Sequence, residues 1–279
     1  MNRAILSLGL LLGVSAAWVP ITRGQEPEET PAIADNSFLM EEAYNQEPGV
    51  VQHINAFLRL RNASSWFYTF VQEWPVFSQK SQLSFTMPVQ RIPGSPSAVT
   101  GIGDVALNYR YQLAGVLTKV SVAPRLSLLL PTGDEEKGLG AGALGVQVNL
   151  PVSATFTKRV VSHWNAGATV TPSAKNTLGE EASTTSYNLG GSVIWLARPT
   201  FNVMLEVVWT RSETVAGPGA TANSDGLLIS PGIRWAHNFS SGLQIVPGIA
   251  FPIGVGPSRG KDAVFIYLSF EHPFLKAAK

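Results

Sequence analysis

The sequence predicts an all-β chain, a transmembrane antiparallel β-barrel of about twelve strands with a short N-terminal periplasmic or plug segment, on three observations. Gly103 to Leu113 alternates Asp104, Ala106, Asn108, Arg110 and Gln112 with Val105, Leu107, Tyr109, Tyr111 and Leu113. An extended strand of this sequence has one polar and one apolar face. About eleven further stretches repeat the pattern, each with polar or small residues opposite large apolar ones. Two packed sheets need only a fraction of those apolar faces for a core, whereas a closed sheet in lipid uses all of them and turns its polar faces inward. Finally, only 14% of the 279 residues are charged, while 26 are glycine and 19 proline, which favours turns and strands over helices.

Composition also excludes classes of function. A mean hydropathy of +0.13 suits an alternating barrel, and only the N-terminus approaches the run of about 20 apolar residues that a membrane helix needs. The net charge of +1 leaves no electrostatic footprint for nucleic acid. The absence of cysteine excludes disulfides, a thiolate nucleophile, cysteine metal sites and a lipoprotein anchor. Residues 1–25 read as a secretory signal: Arg3 is the positive n-region, Ala4 to Ala17 the apolar h-region, and Ser15-Ala16-Ala17 a small-x-small cleavage site, with cleavage nearer Gln25 as the alternative. Export then places the chain in the outer membrane of a diderm bacterium, with membrane lipid, lipopolysaccharide and the barrel-assembly machinery as partners.

Residues 26–49 form an acidic extension without alternation. Its first half, with Glu26, Glu28 and Glu29 among prolines, reads as mobile. In its second half Asn36 or Ser37 can cap a short helix that carries Glu41 and Glu42 and stops at Pro48-Gly49. Phe38, Glu41, Glu42 and Tyr44 make this half a candidate plug docked on or in the barrel, the alternative being an ordered periplasmic leader.

The barrel is predicted over 50–272, followed by a tail at 273–279. The first strand, Val51 to Arg61, is phased with Ile54, Ala56, Leu58 and Leu60 outward and His53, Asn55, Arg59 and Arg61 inward. The second, Ser65 to Trp74, turns Trp66, Tyr68, Phe70 and Trp74 out, and the third, Lys80 to Val89, does so with Leu83, Phe85, Met87 and Val89. Gly103 to Leu113 is the fourth. The fifth, Thr118 to Leu130, turns in Lys119, Ser121, Arg125 and Ser127; the sixth, Ala143 to Val152, turns in Gly145, Gln147 and Asn149. The seventh, Val160 to Val170, turns in His163, Asn165 and Thr169, and the eighth, Ser186 to Leu196, turns in Asn188, Gly190 and Ser192. The ninth, Phe201 to Thr210, turns in Asn202 and Glu206, and the tenth, Gly226 to Trp235, turns in Ser230, Gly232 and Arg234. Leu243 to Phe251 and Ala263 to Phe270 complete the set.

Two checks support the count. Short connections such as Ala197 to Thr200 alternate with longer ones such as Pro131 to Gly142, Thr171 to Thr185 and Arg211 to Asp225, as periplasmic turns alternate with extracellular loops, with two exceptions: the first loop, Asn62 to Ser64, is short, and the turn Ser153 to Arg159 is long. With alternating strand direction, Trp66, Tyr187, Trp209 and Phe251 gather at one rim, and Trp74, Tyr109, Tyr111, Trp195, Phe201, Trp235 and Phe270 at the other, as two interfacial belts require.

The segment Asn36 to His53, NSFLMEEAYNQEPGVVQH, followed by an arginine-bearing first strand and later by Leu128-Leu129-Leu130-Pro131-Thr132-Gly133-Asp134, resembles the outer-membrane family named for the MetA pathway of phenol degradation. The resemblance spans nearly the whole mature chain and implies a β-barrel transporter for aromatic or other poorly soluble compounds. It brings no catalytic residue.

Gly140 to Gly145 matches GxGxxG, but VQVNLPV after it alternates and opens no helix, so a loop with close strand approach fits better than a nucleotide site. Asp134, Glu135 and Glu136 suit a solvated loop better than a cation site. No metal, cofactor or catalytic residue is expected, and the chain is read as a channel for small molecules, not an enzyme. The lumen and substrate-path candidates are His53, Arg59, Arg61, Asp104, Arg110, Lys119, Arg125, His163, Glu206 and Arg234. Their basic excess either favours anionic cargo or pairs with Glu41, Glu42 and the wall acids to stiffen a narrow interior. The competing readings are a structural barrel and an outer-membrane hydrolase in which a serine meets His53 or His163 near the outer rim.

Overall fold

The computed structural model describes residues 36–94, 97–115 and 119–273. The expected signal over 1–25, the first half of the acidic extension and the tail beyond Pro273 lie outside these residues. The strands are β1 (Val50–Leu60), β2 (Trp66–Val76), β3 (Ser78–Ile92), β4 (Val99–Ile102), β5 (Val105–Tyr111), β6 (Val120–Val122), β7 (Arg125–Leu130) and β8 (Gly145–Thr157). They continue with β9 (Val160–Lys175), β10 (Glu181–Arg198), β11 (Phe201–Gly217), β12 (Ala220–Trp235), β13 (His237–Asn238), β14 (Gln244–Ala250), β15 (Ile253–Gly254) and β16 (Ala263–Pro273). Leaving aside the short β4, β6, β13 and β15, twelve strands pair antiparallel with their neighbours in the chain, and β14 bridges β12 to β16. The ring closes where β1 pairs with β16 from Val50↔Pro273 to Leu60↔Ala263. Closure leaves no unpaired edge, the condition for a sheet to sit in hydrocarbon. We call the end where β1 begins the near end and the opposite one the far end.

The predicted fifth strand is two, β6 and β7, broken at Ala123-Pro124, where proline cannot donate to the ladder. Two expected long far-end loops are mostly strand. β9 runs to Lys175 and β10 starts at Glu181, and β11 and β12 are joined by only Pro218-Gly219, with Gly219 at φ +68°. Thr, Ser and Ala in these hairpins pair well but carry no apolar phase that would identify them as strand. Similarly, Ser153 to Arg159 shrinks to a two-residue turn, because β8 extends to Thr157.

Directly paired residues share a face, so the registers settle which way each strand looks. The second to tenth strands keep their expected phase. Leu107, Leu126, Val148, Leu189, Leu205 and Ile266 point out and are each about half exposed, 48% for Leu107 and 51% for Val148. Tyr109, Tyr111, Trp195 and Trp235 sit outward at the near end, and Tyr187 and Trp209 at the far end.

β1 is the exception, and its phase is reversed. Ile54, Ala56 and Leu58 face inward, packed on a buried cluster of Val246, Ala250, Phe265 and Tyr267. His53 is therefore on the outside, stacked on His272 at 5.3 Å and on Phe70 at 6.2 Å between ring centroids. Arg59 is exposed on the outer face opposite Trp66, and Arg61 is exposed in the following turn. The physical reason is that the interior beside β1 is apolar, because Phe38 and Leu39 pack there. An amphipathic strand buries whichever face its surroundings favour, and alternation alone cannot distinguish an apolar lumen wall from lipid.

Replacing Leu107 or Val148 by Arg should destabilise the folded barrel by about 2 to 4 kcal/mol in lipid-refolding titrations, whereas Ser186→Arg, on the inner face of β10, should have little effect. Equal costs on the two faces would refute the assigned orientation.

Candidate functional site

The interior is occupied by the chain's own residues 36–49, which run as irregular backbone in place of the expected helix. A helix would satisfy its N–H groups internally; here the barrel wall accepts them. Phe38 and Leu39 N–H donate to Glu206 Oε1 at 3.1 and 2.9 Å. Glu41 N–H donates to Asn165 Oδ1 at 2.9 Å, Ala43 N–H to Ser153 Oγ at 2.7 Å, and Gln46 N–H to Gln82 Oε1 at 2.7 Å. Wall donors meet the carbonyls in turn. Asn165 Nδ2 donates to Glu41 O at 2.8 Å, Gln112 Nε2 to Ala43 O at 2.8 Å, and Arg110 to Glu42 O and Tyr44 O at 3.2 and 2.5 Å. Buried backbone groups need such partners, so the path of the segment is set by residues on β3, β5, β8, β9 and β11 and just beyond β5.

Charge fixes one side of the segment. Arg125 grips Glu41 with both arms of its guanidinium, Nη2 to Oε1 at 2.7 Å and Nε to Oε2 at 2.9 Å, the stronger bidentate arrangement. Asn108 and Gln147 hold that guanidinium from the wall at 2.7 Å each, and Asn149 donates to Glu41 at 3.0 Å. Arg110 is almost wholly buried. Its Nε donates to Asn45 at 3.0 Å, and its Nη1 lies 3.7 Å from the Glu42 carboxylate. Apolar contact fixes the other side. The Phe38 ring lies 5.3 Å from Phe265 and 5.2 Å from Tyr267, and Arg234 sits 5.8 Å above the Tyr267 ring. Phe38 also lies against β12 and β14, where a Cβ at Gly232 or Gly248 would come within 2.9 or 2.5 Å of it. Only glycine admits the ring so close to the backbone.

The expected site residues therefore divide. Arg110, Arg125, His163, Glu206 and Arg234 face the lumen and gather around the segment, as do Phe38, Glu41, Glu42 and Tyr44 within it. Asp104 anchors a far-end loop, accepting from Gly133 and Ala141 N–H at 2.9 and 2.7 Å. Lys119 is exposed in the bend before β6. With His53, Arg59 and Arg61 outside, the basic excess disappears: wall Arg110, Arg125 and Arg234 meet wall Glu73, Glu206 and Glu271, with Glu41 and Glu42 added by the segment. Gln52 escaped the sequence reading because it lies on the misphased strand, and Ser153 and Glu271 because they lie just past the predicted ends of the sixth and twelfth strands.

The glycine-rich loop 131–144 opens no helix of the dinucleotide type. Gly140 packs against Gly133 and Asp104, and Gly142 has φ +62°. Asp134 caps the one-turn helix Glu135–Lys137, and Lys137 beside it holds its carboxyl below the usual carboxylate range. A serine–histidine contact does exist: Ser153 Oγ lies 2.7 Å from His163 Nδ1. Both residues are buried beneath the segment, Ser153 already accepts the Ala43 N–H, and the pair belongs to the near half of the barrel. It lacks the exposure and far-rim position that a hydrolytic site would need.

No family model and no curated protein matches the chain. Among solved structures, it is similar to the COG4313 outer membrane channel from Pseudomonas putida F1, at TM-score 0.60 and 12% identity over 82% of this chain and 97% of that one. It is also similar to the NanC porin, at TM-score 0.51 and 8% identity over 80% and 98%. At such identities the likeness is one of fold, that of outer-membrane β-barrels.

Arg110→Ala should expose the segment, because leaving Glu42 and two carbonyls without their partner costs about 1 to 3 kcal/mol. An added cysteine, Ala43→Cys, should then react with an aqueous thiol reagent at least tenfold faster than in the otherwise native chain. An unchanged rate would show that Arg110 does not hold the segment.

Proposed function

We propose that this chain is an outer-membrane channel of a diderm bacterium that passes small molecules, with residues 36–49 occluding its lumen. The observation that carries this reading is the filling of a polar, closed barrel by a non-helical segment of the same chain, held mainly by side chains of the wall. A barrel built only as a scaffold gains nothing from an interior polar enough to release such a segment into water. Twelve strands enclose more than the eight whose interior side chains fill, and fewer than the sixteen that leave an open pore, so one extended segment suffices to control passage. The outward apolar belt with aromatic residues toward both rims supports residence in lipid.

On this reading residues 1–25 are the export signal, 26–49 the extension and 50–272 the barrel. The near end faces the periplasm, and the far-end loops face lipopolysaccharide. Cargo is small and aromatic or otherwise poorly soluble, a choice supported by the apolar inner wall around Phe265 and Tyr267. The balanced wall charges do not support a preference for anions while the segment is in place.

Deleting residues 36–49 from the refolded protein should raise single-channel conductance in planar bilayers severalfold. It should also shift the reversal potential in a salt gradient toward anions, since Arg110 and Arg125 lose Glu42 and Glu41. Unchanged conductance from a folded, inserted barrel would overturn the occluding role.

A further inference from the structure

The seam between β12 and β14 is the least completely paired join among the described strands of the wall. β11 pairs with β12 along its length, from Phe201↔Trp235 to Gly217↔Ala220. Across the next join only Gly232, Ile233 and Arg234 find partners on β14, and only Leu228 and Ile229 on β15. Outside these pairs, Phe251 N–H donates to the Pro231 carbonyl and Val255 N–H to the Leu227 carbonyl, each at 3.0 Å. Backbone groups alternate between neighbours along an antiparallel strand, so positions 231, 233 and 235 face positions 251, 249 and 247 across this seam. Pro231 and Pro247 thus withhold one donor each, from opposite sides. Proline inside a sheet belongs at an edge, and a closed barrel has none, so this seam is a latent edge.

Apolar side chains flank it on both faces of the wall, with polar ones added at the far end. A cavity of about 240 Å³ opens against the far half of the seam, lined by apolar Leu58, Leu60, Leu228, Pro252 and Ala263 and by polar residues that include Thr210, Ser224 and Ser258. Leu228 and Pro252 belong to its opposite sides. Asp225 and Lys261 are the charged members of the lining. Nearer the middle, the Phe38 ring is laid on Gly232 and Gly248. Outside, the seam is flanked by Ile229, Ile233, Ile249 and Ile253, which face lipid. The seam itself, between Phe38 inside and four isoleucines outside, offers a polar solute no partner, whereas a molecule with no hydrogen bonds to lose crosses it at little cost.

We propose that the far-end cavity admits small apolar molecules and that the β12–β14 seam parts to release them sideways into the bilayer. This rests on residence in the outer membrane and is independent of passage along the barrel axis.

The chain has no native cysteine, so a disulfide can be placed cleanly. Ile233→Cys with Ile249→Cys, direct partners across the seam, would lock it, and Val148→Cys with Ala168→Cys, partners between β8 and β9, is the control. The full chain is expressed in cells with a lipopolysaccharide outer membrane, and uptake of radiolabelled naphthalene is measured before and after reduction. The seam disulfide should lower uptake at least fivefold, reductant should restore it, and the control disulfide should leave it unchanged. Pro231→Val with Pro247→Val, which returns both donors, should also slow uptake and raise the unfolding temperature.

Undiminished uptake through a fully oxidised seam would overturn the lateral exit, as would an equal loss with the control pair. Uptake no greater than in cells without the protein would overturn the apolar cavity as an entry site. The conductance of the variant lacking 36–49 separates these failures from failure of the axial channel, since locking the seam should leave that conductance unaltered.

Discussion

A closed ladder of backbone hydrogen bonds is the constraint on which the rest of this chain depends. Hydrocarbon offers no partner for a free N–H or C=O, so a membrane sheet must return to its own first strand. Here it does so between β1 and β16 along the whole of β1. Closure then dictates the alternation that runs through the sequence, since every residue between the ends looks either at lipid or at the lumen. The low charge content, the glycine and proline at the reversals and the aromatic residues near the rims follow from that single geometric demand.

Closure also creates an interior that must be filled or left open. A twelve-stranded ring is too wide for wall side chains alone to fill and narrow enough for one extended segment. The chain supplies that segment from its own residues 36–49, and the wall is written to receive it. Glu206 takes two successive N–H groups, Asn165 takes one N–H and returns one to a carbonyl, and Arg110 gathers two carbonyls and an amide oxygen. Because the segment makes few hydrogen bonds to itself, its conformation is a property of the barrel around it.

That dependence explains what was legible in the sequence and what was not. Fold class, strand number, the phase of nine strands and the inward placement of Arg110, Arg125, His163, Glu206 and Arg234 follow from period-two patterning, which is local. The failures are non-local. His53, Arg59 and Arg61 went to the wrong face because β1 buries its apolar side against Phe38 and against Phe265 and Tyr267, which pair with Leu58 and Ala56 from the far end of the sequence. The helix expected after Ser37 is absent because donors that would have closed it find Glu206 and Asn165 first. The far-end hairpins read as loops because Thr171 to Thr185 and Arg211 to Asp225 extend past any belt of lipid and so lose the apolar half of the pattern. Asp104 shows the same limit on a smaller scale: its position in the alternation is inward, but Gly133 and Ala141 claim both carboxylate oxygens.

The two sides of the docked segment are held by forces of different kinds, and that difference bears on how it can move. Glu41 is held by Arg125 through charge-assisted bonds that are partly exposed and so open to water and salt, whereas the Glu42–Arg110 pair is buried and screened much less. Phe38 is held by aromatic and glycine surfaces, whose grip comes from excluding water and is insensitive to salt. A change in ionic conditions in the lumen therefore loosens the Glu41–Arg125 contact before it loosens Phe38, and the segment would swing about its Phe38 anchor more readily than leave as a whole. The anchor itself lies on β12 and β14, which are joined by the least complete ladder among the described strands of the wall. One ring thus touches both the occluding segment and that seam, so anything that displaces Phe38 from Gly232 and Gly248 acts on the lumen and on the wall at the same point.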